Sequence, residues 1–242
     1  VYNDSTTTQD AVNAATDALN AAIAKLEKKP TIDSDDAIGA LLPLLPALDS
    51  DTQGTFPFND VSKADWYYNS VRSAWYNGLI DGVTRYEFQP DSTLTVAQAI
   101  KLAAALCQME HEGKVRLTNG ETKWYDTYVS YAIANGIIEQ SYASYTDAQM
   151  NAPITRGEFV HIFHGAKDGY TAINAVADNA IPDVKTSDKF AAEIYEFYRA
   201  GILTGSDTRG TFHSTNTIKR SEAAAILLRM YDSSVRMTIT LS

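Results

Sequence analysis

Two arginines stand where a helix would begin, Arg156 in ITRGEFVHIF and Arg220 in IKRSEAAAIL. The first turn of a helix carries a positive partial charge, so a cation sits there at a small cost, and glutamate or alanine would serve the helix better. An arginine beside unpaired helix amides is a receptor for a carboxylate or another anion. A structural ion pair with an acid in a neighbouring part of the chain would use the same side chain, and residue types alone leave both readings open.

Other chemistries find little support. His111, His161, His164 and His213 lack metal-ligand spacing with an acid partner; His161 and His164 share a helix face but want a third ligand, so no metal is expected. No nucleophile elbow or phosphate loop is present, and the carboxylates are too scattered to nominate a glycosidase pair. The expectation is a non-enzyme without a cofactor.

With 242 residues, 45% of them hydrophobic, the chain can bury a core. Its 20 Lys and Arg against 30 Asp and Glu leave a net charge of −10, which argues against a nucleic-acid partner and demands a local basic spot for any anionic ligand. No apolar run approaches the roughly 18 residues of a membrane span, so membrane insertion is not expected. Cys107 lies in an apolar run and reads as a buried thiol, with no disulfide framework around it. The chain reads as a piece of a longer polypeptide.

The elements that position the two arginines recur. Taking Gly78, Gly136 and Gly201 as anchors, an apolar stripe lies behind each: Val71, Ala74 and Trp75; Val129, Ala132 and Ile133; Ile194, Phe197 and Tyr198. That pattern is one face of a helix closed by a glycine cap. Trp75 therefore reads as packing. A loop follows, then a second helix whose apolar positions again coincide: Ala99, Ile100, Leu102 and Ala103; Phe159, Val160, Ile162 and Phe163; Ala223, Ala224, Ile226 and Leu227. Three copies of one helix, loop, helix unit result. Thr95 with Gln98 and Thr155 with Glu158 have capping-box spacing at the second helix, and Lys219 with Glu222 keeps half of it. Copy one carries Val96 where the others have arginine.

These copies resemble S-layer homology repeats, in FNDVSKADWYYNSVRSAWYNGLIDGVTRYEFQPDSTLTVAQAIKLAAAL from Phe58, KWYDTYVSYAIANGIIEQ leading to ITRGEFVHIF from Lys123, and IPDVKTSDKFAAEIYEFYRAGILTGSDTRGTFHSTNTIKRSEAAAILLRM from Ile181. The resemblance implies a mostly α fold, a pseudo-threefold assembly of three repeats around a central helix bundle. It divides the chain into copies at residues 56–112, 113–170 and 171–232, with a tail at 233–242 that is either a short strand or frayed. It implies a non-catalytic anchor in the cell wall or surface layer of Gram-positive-type bacteria, acting as a monomeric pseudo-trimer. Grooves between its prongs would bind the secondary cell wall polysaccharide, commonly through the carboxylate of a pyruvate ketal. The alternative is a degenerate trimer of repeats kept as a scaffold.

Carried over position by position, the resemblance nominates Arg156 and Arg220, Asp60 and Asp183 of the two DV pairs, Trp66 and Trp124 at the first helix, and Gly82, Gly205, Gly210 and Thr211 in the loops. Copy one has lost both arginine and acid in TVAQ, copy two lacks the DV pair and has Gln140 in place of the loop glycine, and copy three has Phe190 near the tryptophan position. Copy three ranks first for binding and copy two second.

Residues 1–55 stand apart. QDAVNAATDALNAAIAKLEKK places Val12, Ala15, Leu19, Ile23 and Leu26 on one stripe, an additional N-terminal helix of about five turns. Residues 1–29 resemble the closing helix of a FIVAR module, and 30–55 form an apolar and acidic linker whose stretch Ile38 to Leu48 is expected to pack on the repeats.

Overall fold

The computed structural model describes residues 56–241; the FIVAR-like helix and the Ile38 to Leu48 stretch lie outside them. The described residues are mostly helical and contain no strand. In chain order they form α1 (Tyr68–Tyr76), α2 (Val96–Glu112), α3 (Asp126–Ala134), a 3-10 helix (Gln140–Ser144), α4 (Asp147–Met150), α5 (Arg156–His164), α6 (Ala191–Arg199), α7 (Arg220–Tyr231) and a final 3-10 turn (Ser233–Val235).

The stripes read from the sequence are the buried faces. Val71, Ala74, Ala132, Ile194, Phe197 and Tyr198 are inaccessible or nearly so, as are all four apolar positions read in each of α2, α5 and α7. Trp75 and Ile133 are half-buried at the edge of the core.

Helices α1, α3 and α6 stop in the same way. Gly78, Gly136 and Gly201 adopt φ of 69°, 69° and 72°, in the left-handed region that costs glycine nothing. The next amide then turns back onto the last helical turn: Leu79 to the Ala74 carbonyl at 2.9 Å, Ile137 to Ala132 at 2.8 Å and Ile202 to Phe197 at 2.9 Å. This is the Schellman closure, which satisfies carbonyls that a helix end otherwise leaves orphaned.

Packing follows a stagger. α1 packs against α7, α3 against α2, and α6 against α5, while α2 also touches α5 and α7. Each of α1, α3 and α6 therefore packs on a helix other than the next one in the chain. The starts of α2, α5 and α7 meet one another through backbone pairing: Leu94 N–H donates to the Ile218 carbonyl, Ile154 N–H to Leu94, Arg156 N–H to Asn216, Val96 N–H to Ala152 and Arg220 N–H to Ser92. Isolated antiparallel bridges join Thr93 to Lys219, Thr95 to Pro153 and Thr155 to Thr217.

The caps differ in detail from the spacing. Thr95 and Gln98 close a complete capping box. Thr155 accepts from the Glu158 amide, but the Glu158 carboxylate turns to the Tyr142 hydroxyl, 3.2 Å away. At α7 Glu222 accepts from the Lys219 amide at 2.9 Å; the Lys219 ammonium has no acceptor lone pair and reaches Asp91 at 2.8 Å.

The tail is neither strand nor loose end. Met237 N–H donates to the Gly201 carbonyl, and Asn174 holds the same segment through Met237 and Ile239.

Candidate functional site

The helix-start arginines are buried, Arg220 5% and Arg156 7% exposed. Each reaches across from its own helix to a loop of another stretch. Arg220 Nε donates to the Phe88 carbonyl at 2.8 Å and its guanidinium lies 4.6 Å from the Phe88 ring centroid. Arg156 Nε donates to the Phe212 carbonyl at 2.8 Å and stands 5.2 Å from that ring. Guanidinium and aromatic face attract one another more strongly as water leaves, which fixes the cation in place.

Beyond that shared seat the two arginines diverge. Arg156 Nη1 meets Glu222 Oε1 at 3.1 Å. Arg220 Nη2 instead donates to the Asp81 carbonyl at 2.6 Å, and among the described residues no carboxylate pairs with it. The position that Glu222 holds in α7 is held in α2 by Gln98, which is neutral. Burial pushes the Arg220 guanidinium down to about 10, partly offset by the charges of Asp81 and Asp60, so it remains a cation at neutral pH.

Arg220 opens into a groove of about 220 Å³ that it shares with Gln98 and Lys101 of α2, Trp124 before α3, and Asp81 and Gly82 after α1. Lys101 Nζ pairs with Asp81 at 2.7 Å, so the one carboxylate that the described residues bring to the groove wall is already neutralised. A half-buried indole, an amide and an unneutralised guanidinium make a surface that can take the face of a sugar and a negative substituent together.

The loops that seat the two arginines are held by acids. Asp60 accepts from the amides of Phe88 (2.8 Å) and Gln89 (2.7 Å), and Asp183 from those of Phe212 (2.8 Å) and His213 (2.6 Å). The carboxylates thus steady Gln89 and His213, whose φ of 57° and 58° is uncommon without glycine. Asp207 accepts from the Thr211 amide and hydroxyl, which hold it well below the usual carboxylate range, at about 2.

Gly82 is required by space rather than by φ. A Cβ there would lie 2.3 Å from Phe58 Cε1, 2.5 Å from the Thr84 carbonyl oxygen and 2.8 Å from that of Glu87. Gly82→Ala is expected to destabilise the protein by about 1–3 kcal/mol, since backbone on two sides cannot retreat. A thermal melt checks it; an unchanged Tm would show that this loop relaxes freely.

The structure therefore brings Arg220, Trp124 and Gly82 together and leaves the other nominated residues elsewhere. Gly205 and Gly210 close on one another beside Thr211, under Ile239 and Leu241 of the tail. Trp66 is 66% exposed, edge-on to Tyr67. At the start of α2, Val96 stands where α5 and α7 have arginine, and near the corresponding face of α5 the His161 ring stacks on Phe190 at 4.5 Å between Glu139 and Glu193. Sequence reasoning missed Gln98 and Lys101 as groove residues. Along the chain Gln98 reads as the capping-box partner of Thr95 and as a lost acid, and Lys101 has no motif to mark it.

Residues 57–100 match the S-layer homology domain model. The chain is similar to the surface-layer 125 kDa protein of Lysinibacillus sphaericus, 33% identical over 58% of the chain and 12% of the relative. It is also similar to the exoglucanase XynX of Acetivibrio thermocellus, 25% identical over 73% of the chain and 16% of the relative. The amylopullulanase of Thermoanaerobacterium thermosulfurigenes is 26% identical over 73% of the chain and 10% of the relative. The chain thus spans only a small part, 10–16%, of the curated relatives it matches.

Proposed function

We propose that this chain is a non-catalytic anchoring module that holds its parent protein at the outside of the cell by gripping an acidic cell wall polysaccharide. Residues 56–112, 113–170 and 171–232 are read as three S-layer homology copies arranged with pseudo-threefold symmetry, acting as one monomeric unit. The staggered helix pairs and the reciprocal bonds among the starts of α2, α5 and α7 support that arrangement. The relatives support the role: one is a surface-layer protein, and two are named for polysaccharide-degrading activities and share only a fraction of their length with this chain.

The observation that carries the proposal is the buried Arg220 guanidinium facing the groove with no carboxylate against it among the described residues. A buried cation without a counter-ion is costly, and an anionic substituent, such as the carboxylate of a pyruvate ketal, removes that cost on binding. Trp124 supplies a sugar-sized apolar face beside it, while Asp60 shapes the Phe88 loop from below. Asp183, Gly205, Gly210 and Thr211 do the same for the Phe212 loop.

A scaffold reading draws on two features, the valine at position 96 and the neutralised Arg156. One experiment separates the two. Purified wall sacculi should retain the protein, and acid extraction of their secondary polymer should abolish retention. Equal retention before and after extraction would overturn polysaccharide anchoring and favour the scaffold.

A further inference from the structure

The groove does not end at Lys101. A second cavity of about 430 Å³ shares both Asp81 and Lys101 with it and continues past the end of α1 to Tyr76, Tyr128 and Lys114. The Lys101–Asp81 ion pair is thus a sill between two compartments. The first alone falls below the size of an ordinary small-molecule site, and the second lies within that range.

Three features of the far compartment bear on what fits it. Lys101 Nζ stands 5.4 Å from the Tyr128 ring centroid, so the cation and the ring form one continuous floor. Tyr76 is 47% exposed at the rim and offers an open ring face. Lys114 is exposed and makes no ion pair among the described residues. The two compartments together contain Arg220, Lys101 and Lys114 against the single carboxylate of Asp81, on a chain whose net charge is −10. Such a local reversal of sign favours a ligand with more than one negative group.

We infer that the two compartments form one extended cleft for several successive sugars of an acidic glycan, with one anionic substituent at Arg220 and a second, further along the chain, at Lys114. The inference rests on the groove reading proposed above and adds ligand length and a second charge. Contacts spread over both compartments supply affinity that one arginine pair cannot.

The test uses acidic oligosaccharides released from the sacculi of the producing organism and sorted by length, with the full chain titrated calorimetrically. Affinity is expected to rise by about tenfold, or about 1.4 kcal/mol, from the single-sugar fraction to fractions of three or more sugars. Lys114→Glu should abolish that gain and leave single-sugar affinity within about twofold, whereas Lys185→Glu, the same charge change outside the cleft, should preserve the gain. A length-independent affinity, a gain that survives Lys114→Glu, or equal losses in the two lysine variants would overturn the extended cleft. Arg220→Ala separates the two levels: it should weaken binding at every length by roughly tenfold to a hundredfold, and if it leaves binding unchanged, the groove reading itself falls.

Discussion

Arg220→Ala should weaken retention on wall sacculi by roughly tenfold to a hundredfold, the equivalent of the 1.5–3 kcal/mol that a charge-assisted pair contributes. The same substitution strips donors from the Phe88 and Asp81 carbonyls and withdraws the cation from the Phe88 face, so some stability is lost as well. Gln98→Glu isolates the electrostatic part. Gln98 Oε1 accepts from the Thr95 amide at 3.1 Å, a bond that a glutamate oxygen can also make, as Glu222 does with Lys219. The capping box survives while a carboxylate enters the groove beside Arg220. Retention should fall nearly as far as in Arg220→Ala, with Tm within a few degrees of the parent. Full retention in a folded Gln98→Glu protein would show that the charge of Arg220 is not what the wall polymer meets.

The second large effect is expected at Arg156, and on a different quantity. Its guanidinium is buried, bonded to the Phe212 carbonyl, stacked on that ring and paired with Glu222. Removing one partner of a largely buried pair costs about 3–5 kcal/mol, discounted here because the Glu222 side chain keeps 33% of its exposure. About 2–3 kcal/mol remains, which lowers Tm by roughly 4–12 °C in a domain of this size. Retention per folded molecule should stay within about twofold. Glu222→Gln is the informative companion: it keeps a bond to the Lys219 amide, releases Arg156 from its counter-ion and, if charge alone separates the two arginines, raises retention through a second point of attachment. Unchanged stability in Arg156→Ala together with lost retention would mean that both arginines face the polymer.

These two arginines mark the limit of what motif reading reaches. TRGE and KRSE look alike, and the spacing assigns both to the start of a second helix, where both lie. Which of them is neutralised depends on the acid or amide presented by a different stretch: Glu222 for Arg156 and Gln98 for Arg220. TVAQ reads along the chain as a decayed copy. In space its glutamine is what leaves the Arg220 groove unneutralised, so the loss in one stretch preserves the cation contributed by another.

The sequence by itself determined α1, α2, α3, α5, α6 and α7, their buried stripes and the glycine closures of α1, α3 and α6. All of these are set within a few residues by the period of apolar side chains and by the φ that only glycine adopts cheaply. It also marked the buried arginines, because a cation at a helix start is out of place there. Only the tertiary structure decided that Arg220, Gln98, Lys101 and Trp124 line one groove while Arg156 closes on Glu222. The physical reason is that these partners stand far apart along the chain and meet through the staggered packing of the helices. Local periodicity specifies each helix face, but the neighbour each face meets is chosen by the packing of the whole.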